Sequence, residues 1–431
     1  MSQDFKIWFA LVAGTAWLLP VPPLSAATLD VPTTFGALSN ILNTANPGDV
    51  LRLRPGVHKG PIIIAKSVTL TGENKAIIDG GGASHVVTIT APNVVLRKLT
   101  IQGSGKLLET EDSGIYVTKD GDGARIEDNV IRNNLIGVNL KGPKKAVVRG
   151  NRIKGFTNMR VNERGNGVQL WNTPGSVIEG NEITDGRDGI FTTTSRDNIF
   201  HGNTFRKTRI AVHYMYTNNS TVSDNISVGN HVGYALMFST GLNVHGNLSE
   251  GDRDHGILMN YANRSKISSN VVRNGKNKCV FIYNSSKNIF RRNRFEACAI
   301  GIHFTAGSEH NDFTENAFIR NRHQVKYVGT RWLDWSVAGR GNFWSDNPAF
   351  DLDGDGLADV AYRPNDMVDE VLWAYPVAKL LLNSPAVKTL RWAQSQFPAL
   401  HPGGVVDNAP LMKPASETLT VRRPSNDRPN G

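Results

Sequence analysis

Soft metal ligands recur at a fixed spacing in the middle of the sequence. Met215, Met237 and Met259 are evenly spaced, one in each of three successive repeats, and each stands twelve positions after the asparagine of its repeat. Alternation along short strands predicts that these methionines, together with His213 and His303, lie on the outer face of the fold. Thioether and imidazole groups suit Cu(I), so the five residues form a candidate copper site. The alternative is that another element covers this face and the methionines only pack.

An aspartate-rich segment follows near residue 350. Asp351, Asp353 and Asp355 stand at alternate positions with a glycine at the sixth, as at the beginning of an EF-hand-type calcium loop. Asp359 adds a fourth carboxylate, but Tyr362 occupies the twelfth position, where such a loop carries a bidentate glutamate. The segment is therefore either a Ca²⁺ site or an Asp/Gly-rich turn.

A third cluster could act on an acidic sugar. Asp252, Arg253, Asp254 and His255 supply an acid, a base and a cation of the kinds that a uronate lyase or epimerase needs. The alternative is an ordinary charged turn.

The chain has two cysteines, Cys279 and Cys298, which are too few for a disulfide scaffold or a cysteine-rich zinc site. They are either buried thiols or one disulfide between adjacent coils.

These candidates are positioned by an internal repeat. An asparagine followed by a short apolar stretch returns roughly every 22 to 23 residues, with one longer interval between Asn151 and Asn181. The repeated positions are Asn129, Asn151, Asn181, Asn203, Asn225, Asn247, Asn270, Asn293 and Asn316. A second short apolar strand, usually opened by glycine, comes about eight residues later in each repeat. Strand, turn, strand, turn is one coil of a parallel β-helix, whose coils bury their inward side chains only by stacking. We expect the asparagines to stack in a turn, with left-handed backbone and amide-to-amide pairing.

Both ends of the solenoid carry predicted caps. The segment 33–44 predicts an amphipathic helix over the first coil, with Phe35, Leu38, Ile41 and Leu42 on its apolar face. Beyond Asn342, a tryptophan-rich stretch predicts an aromatic plug, and helices near 366–382 and 384–397 predict a hairpin. We thus expect an all-β, right-handed parallel β-helix over 28–342, a C-terminal cap over 343–398 and an extended tail over 399–431.

The beginning of the chain predicts export. Lys6 precedes an apolar run at 7–19, prolines follow at 20–23, and a small-residue cleavage site lies near Ala27, so residues 1–27 read as a secretory signal. The remainder of the sequence contains no stretch of membrane-spanning length. The 431 residues, 20% of them charged and 39% hydrophobic, are typical of a globular protein. A formal net charge of +10 suits an acidic partner, an anionic membrane surface or a polyanionic substrate.

Five stretches of the sequence carry a family resemblance. They are RGNGVQLWN at 164–172, GNFWSD at 341–346, WAYPVAKLLLNSPAV at 373–387, QSQFP at 394–398 and PGGVVD at 402–407. Together they resemble the NosD family of nitrous oxide reductase maturation proteins. The C-terminal stretches are specific, whereas the coil repeats would match any carbohydrate-processing β-helix.

The resemblance implies a non-catalytic accessory subunit in the periplasm, held at the inner membrane by a permease dimer and its ATPase subunits in an ABC-type complex. Its further implied partners are a membrane-anchored copper chaperone and nitrous oxide reductase, whose copper–sulfide centre the complex helps to assemble. Cu(I) is then a transient cargo, Ca²⁺ a candidate structural ion, and nucleic acid is not expected as a partner. The alternative function is a periplasmic polysaccharide lyase or uronate epimerase of the β-helix type.

Overall fold

The chain winds into a parallel β-helix with three sheets. The computed structural model describes residues 26–305, 307–397 and 403–415, and the predicted signal lies outside these ranges up to Ser25. In the described residues two sheets have 13 strands each and the third has 12, with successive coils contributing neighbouring strands. The predicted solenoid of stacked coils is confirmed. No helix in these ranges combines the length and apolarity needed to cross a bilayer.

Most of the strands are only three to six residues long, as the repeat predicts. Sheet 1 contains Thr28–Val31, Val50–Leu53, Thr69–Thr71, Val95–Arg97, Arg125–Glu127, Val147–Arg149, Val177–Glu179, Ile199–His201, Thr221–Ser223, Asn243–His245, Lys266–Ser268, Ile289–Arg291 and Asp312–Thr314. Sheet 2 contains Gly56–Lys59, Ala76–Asp79, Thr100–Gln102, Val130–Arg132, Arg152–Lys154, Glu182–Thr184, Thr204–Arg206, Ile226–Val228, Leu248–Glu250, Val271–Arg273, Arg294–Glu296, Ala317–Ile319 and Phe343–Trp344. Sheet 3 contains Ile62–Ile64, Val87–Ile89, Ser113–Val117, Ile136–Lys141, Val168–Trp171, Asp188–Arg196, Ile210–Asn218, Val232–Met237, His255–Asn260, Lys278–Tyr283, Ile300–Thr305 and His323–Val328.

The repeated asparagines form a continuous hydrogen-bonded ladder inside the solenoid. Asn203 Nδ2 donates to Asn225 Oδ1 at 3.0 Å, and Asn225 Nδ2 donates to Asn247 Oδ1 at 3.0 Å. Asn225 Nδ2 also donates to the carbonyl of Phe200, and Asn225 Oδ1 accepts the backbone N–H of Asn203. Because these groups are buried, the ladder satisfies donors and acceptors that would otherwise be costly.

The left-handed residue of each turn is not the asparagine, contrary to our expectation. It is the residue before it, for example Asp224 with φ 55° and Gly246 with φ 67°. The asparagine side chain can therefore point inward to the ladder while its predecessor makes the turn. The glycines that open sheet 3 strands have a different cause: a Cβ on Gly233 would lie 2.5 Å from the carbonyl oxygen of Gly256 in the next coil.

The N-terminal cap is a shorter helix than predicted, α1 (Ala37–Thr44). Leu38 and Leu42 are buried against the first coil, and Ile41 packs against the core from a partly buried position. Phe35 is 85% exposed, so its predicted place on the buried face is wrong. It precedes the helix and lies beneath the ammonium of Lys59.

The C-terminal end is closed by stacked aromatic rings, as predicted. Trp335 stacks on Phe313 with ring centroids 4.0 Å apart, and Trp344 stacks on Phe318 at 4.3 Å. Both indole rings are buried, which removes the last coil's apolar edge from water.

A hairpin of two helices follows, α2 (Met367–Ala374) and α3 (Pro385–Gln396), with a 3₁₀ segment Pro376–Leu381 between them. Asp366 caps α2 and Ser384 caps α3, where its hydroxyl accepts from the Val387 N–H. Val368 and Leu372 are the buried contacts of α2.

The described part of the tail returns to the last coil. Strand Gly404–Val406 pairs in parallel with strand Trp332–Asp334. Beside it, Asp407 accepts hydrogen bonds from the Asn342 backbone and from the Trp344 indole, both to Oδ2. Burial raises the pKa of Asp407 to about 6, although these hydrogen bonds lower it. Since Asn342 is the last asparagine of the ladder, Asp407 is its terminal acceptor.

Replacing one asparagine in the middle of the ladder should destabilise the fold. Asn225→Ala leaves the buried N–H of Asn203 without an acceptor and removes two donated bonds, so we expect a loss of about 2–4 kcal/mol in the free energy of unfolding. Urea unfolding followed by circular dichroism measures it. The matched control is Arg206→Ala on the exposed side of the neighbouring coil, which should change stability by less than about 0.5 kcal/mol. Equal effects of the two substitutions would contradict a stabilising ladder.

Candidate functional site

The outer face of sheet 3 carries the residues that the sequence singled out. In register along its centre lie Phe191, His213, Ala235, Leu258 and Phe281, with His303 beside Phe281 in the following coil. A second row on the same outer face, two residues further along each strand, consists of Thr193, Met215, Met237, Asn260 and Tyr283. Thus His213 and Met215 share one strand and one face, and Met237 is the neighbour of Met215 in the next coil.

Met259 does not continue the methionine row, so our prediction of a three-residue ladder is wrong. Its register partner is Leu236, a core residue, and Met259 itself is fully buried. Leu258, which alternation predicts to point inward, is the partner of Ala235 on the outer face.

The cause is one extra residue in a turn. Three residues, 229–231, connect the strand ending at Val228 to the strand beginning at Val232, whereas four, 251–254, make the same connection one coil later. A shift of one residue exchanges the two faces of a strand. The methionine therefore moves into the core although its spacing from the asparagine is unchanged.

His213 is held by a buried carboxylate. Its Nδ1 lies 2.9 Å from Oδ2 of Asp188, whose side chain is 2% exposed. Arg209 binds the same carboxylate with both ends, Nε to Oδ1 at 2.8 Å and Nη2 to Oδ2 at 2.6 Å. Burial raises the pKa of Asp188, but hydrogen bonds from His213 and Arg209 outweigh it and hold the pKa below its usual value.

His303 belongs to a different part of the same face. It lies four coils from His213 in the central row, about 19 Å at the usual strand spacing, so the two imidazoles cannot share one ion. It packs against the Phe281 ring at 4.8 Å, and the His255 ring lies 5.3 Å from the same ring.

This second histidine group is kept uncharged by its surroundings. Burial, with the nearby Lys278, lowers the pKa of both His255 and His303 to about 4. Burial also lowers the pKa of Lys278, whose ammonium lies over the Phe281 ring. Asp254 Oδ2 is 3.3 Å from His255 Nε2, and its other oxygen accepts from the Asn277 amide.

The two aspartates of the turn 252–254 have different partners. Asp252 is buried and accepts hydrogen bonds from Ser227, Ser249 and the backbone N–H of Asn230. Burial raises its pKa. Its carboxylate holds adjacent coils together, which favours the structural interpretation of this cluster over the catalytic one.

An aromatic row borders the two methionines, and the sequence analysis missed it. Tyr216, Phe238 and Tyr261 follow the methionine row by one residue, and their rings are stacked with centroids 5.1 and 5.3 Å apart. Each has a left-handed backbone, with φ of 49°, 48° and 51°, which is a strained conformation for a bulky side chain. The signal was an aromatic residue at the same place in three successive repeats.

The aspartate-rich loop forms a compact turn. Oxygens of Asp351, Asp353 and Asp355 lie within 4.8 Å of one another. Asp351 also accepts the backbone N–H groups of residues 354 and 356, which lower its pKa, and Asp359 accepts from Leu352 N–H at 2.8 Å. The carboxylates are thus gathered, and calcium binding stays a prediction.

If the loop binds Ca²⁺, the ion will relieve the repulsion between its carboxylates and stabilise the folded chain. We expect millimolar Ca²⁺ to raise the thermal unfolding midpoint of the full chain by about 1–3 °C. The rise should vanish in Asp353→Asn/Asp355→Asn and persist in Asp120→Asn, an exposed aspartate elsewhere. Equal rises in all three proteins, measured by differential scanning fluorimetry, would assign the effect to another place.

The two cysteines form a disulfide between adjacent coils, which decides between the alternatives left open above. Cys279 and Cys298 have Cα atoms 5.7 Å apart, and both side chains are buried. Cys279 lies in the sheet 3 strand Lys278–Tyr283, Cys298 lies just before the strand Ile300–Thr305, and the bond fits an oxidising compartment.

The fold and the outer face of sheet 3 together define the class of protein. It is a parallel β-helix whose outer surface presents thioether and imidazole groups, the ligands preferred by soft metal ions. The profile of the family described as "Periplasmic copper-binding protein (NosD)" matches residues 153–349. A protein of Stutzerimonas stutzeri named "Probable ABC transporter binding protein NosD" is 40% identical over 86% of this chain and 88% of its own. One of the same name from Pseudomonas aeruginosa is 42% identical over 85% and 89%. The chain belongs to the NosD family.

Solved structures support the architecture. The Family 28 exopolygalacturonase of Yersinia enterocolitica superposes with a TM-score of 0.51 over 70% of this chain and 77% of that one. The identity is 10%, so the similarity concerns the fold alone.

Proposed function

We propose that this chain is a periplasmic accessory subunit of an ABC-type complex that helps to assemble the copper–sulfide centre of nitrous oxide reductase. In this role it docks a membrane-anchored copper chaperone and the reductase, and it relays Cu(I) between them. Relatives named as ABC transporter binding proteins, and a family described as periplasmic and copper-binding, support the proposal.

The proposed attachment to a permease is supported by the exposed apolar surface of the hairpin. Leu380 is 86% exposed, Val377 78% and Tyr375 69%, all within one short segment. The hairpin is held to the last coil where Asn365 Nδ2 donates to the Val325 carbonyl and the Lys326 ammonium lies over the Trp373 ring. A hairpin that is fixed at one side and apolar at the other is suited to bind another protein.

Removing everything from Asp366 onward would be a poor test of this idea. It would also delete Asp407, which ends the asparagine ladder and binds the Trp344 indole. Loss of attachment could then follow from unfolding of the last coil. Single surface positions separate the two effects.

Charged substitutions on the exposed hairpin should release the protein from its permease. With permease and ATPase subunits co-expressed and the permease tagged, we expect Leu380→Asp/Leu381→Asp to lower recovery of this chain in detergent at least tenfold, because burying two carboxylates in an apolar interface is costly. Leu352→Asp is the matched control, since Leu352 is 83% exposed but lies in the aspartate-rich loop. Full recovery of the hairpin variant would contradict attachment through this surface.

A non-catalytic role also agrees with the outer face. Asp252 is occupied by hydrogen bonds within the turn, as described above. Each ring of the aromatic row stacks on a neighbouring ring of the row, which covers ring faces that a sugar would need open. These two features give the alternative of a lyase or epimerase no support beyond the shared fold.

A further inference from the structure

We infer that His213, Met215 and Met237 form a Cu(I) site and that Asp188 is its positioning residue. The inference rests on the proposed function for the identity of the ion, and on the geometry of sheet 3 for the residues. It excludes Met259, which is in the core, and His303, which lies about four coils away.

The three ligands rise from a small patch of one face. His213 and Met215 are two residues apart on strand Ile210–Asn218, and Met237 is paired with Met215 in the next coil. Those separations correspond to about 7 Å along the strand and about 5 Å across the sheet. Flexible thioethers can converge over such a patch, and Met237 packs against the cluster that contains Ala235, the neighbour of His213 in the next coil.

The buried carboxylate determines which imidazole nitrogen is offered. Arg209 donates to both oxygens of the Asp188 carboxylate, and Nδ1 of His213 lies 2.9 Å from Oδ2, so Nδ1 faces the carboxylate and Nε2 is the nitrogen left for a metal ion. A carboxylate behind the imidazole is the common arrangement in metal sites, where it fixes orientation and raises ligand basicity. Arg209 balances the charge of the Asp188 carboxylate, so a monovalent cation bound by His213 meets no net repulsion from this ion pair.

The donor set selects the oxidation state. Two thioethers and one neutral imidazole are soft to borderline ligands, and they suit Cu(I) better than Zn²⁺, Ca²⁺ or Mg²⁺. Tyr216 and Phe238, whose rings are stacked, directly follow the two methionines in sequence.

The test is Cu(I) binding to the full chain, purified without its leader, in anaerobic competition with a chromogenic chelator. We expect Met215→Leu/Met237→Leu to weaken binding at least 100-fold, because leucine keeps the volume but not the sulfur. The matched control is Met259→Leu, the same chemical change in the core, which should alter affinity less than twofold; His303→Ala should do the same. Unchanged affinity in the double variant, or an equal loss in Met259→Leu, would overturn the site.

The role of Asp188 must be tested by a measurement that does not change when the protein is merely destabilised. Asp188→Asn should weaken Cu(I) binding about 10-fold to 100-fold. X-ray absorption of the loaded variant should still show two sulfur neighbours but a reduced nitrogen contribution. His213→Ala, which leaves the Asp188–Arg209 pair in place, should give the same spectrum; two sulfurs and an intact nitrogen in Asp188→Asn would refute positioning.

Failure of the site can be told apart from failure of the proposed function. If the unaltered chain binds Cu(I) through other residues, the assignment is wrong while a relay role stands. If it binds no Cu(I), the site and the relay both fall, and recovery with the permease still decides whether the chain is a subunit of the complex.

Discussion

The asparagine ladder is the interaction on which the rest of the structure depends. Each amide donates to the next and accepts from the previous coil, so a coil cannot shift without breaking bonds on both sides. The ladder ends on Asp407, which comes from beyond the hairpin. The last coil and the returning tail are therefore tied together.

Because the ladder fixes every coil, the outer face is set by the length of each turn. Alternation along the strands correctly predicted that His213, Met215, Met237 and His303 point outward. It failed for Met259, since the preceding turn has one additional residue: the interval between asparagines lengthens from 22 to 23 residues, while Met259 keeps the same distance from its own asparagine. Spacing from the ladder is thus a reliable guide to coil number but not to the face on which a side chain lies.

Apart from the asparagine pairing and the disulfide alternative, side-chain contacts between coils were the part that sequence reasoning could not supply. Asp188 precedes both His213 and Arg209 by about one full coil, so nothing local indicates that they meet. The same holds for Asp407, which reaches Asn342 from the far side of the hairpin. The left-handed position occupied by Tyr216 was visible in the sequence only as a repeated aromatic residue. In earlier coils Asn172 and Thr194 occupy the same position. Asparagine tolerates this left-handed backbone, whereas it costs Tyr216 about 1–2 kcal/mol.

The charges along the outer face of sheet 3 favour binding of a monovalent metal ion at one end of that face. Around His213 the buried carboxylate and guanidinium cancel, so a cation there meets no net repulsion. Further along, Lys278 and Lys326 raise the local potential enough to contribute to the low pKa of His303, about 4, behind the larger effect of burial. A potential that discourages a proton on His303 also discourages Cu⁺. The His213 end therefore suits holding the ion, and the opposite end, next to the hairpin, suits contact with anionic groups.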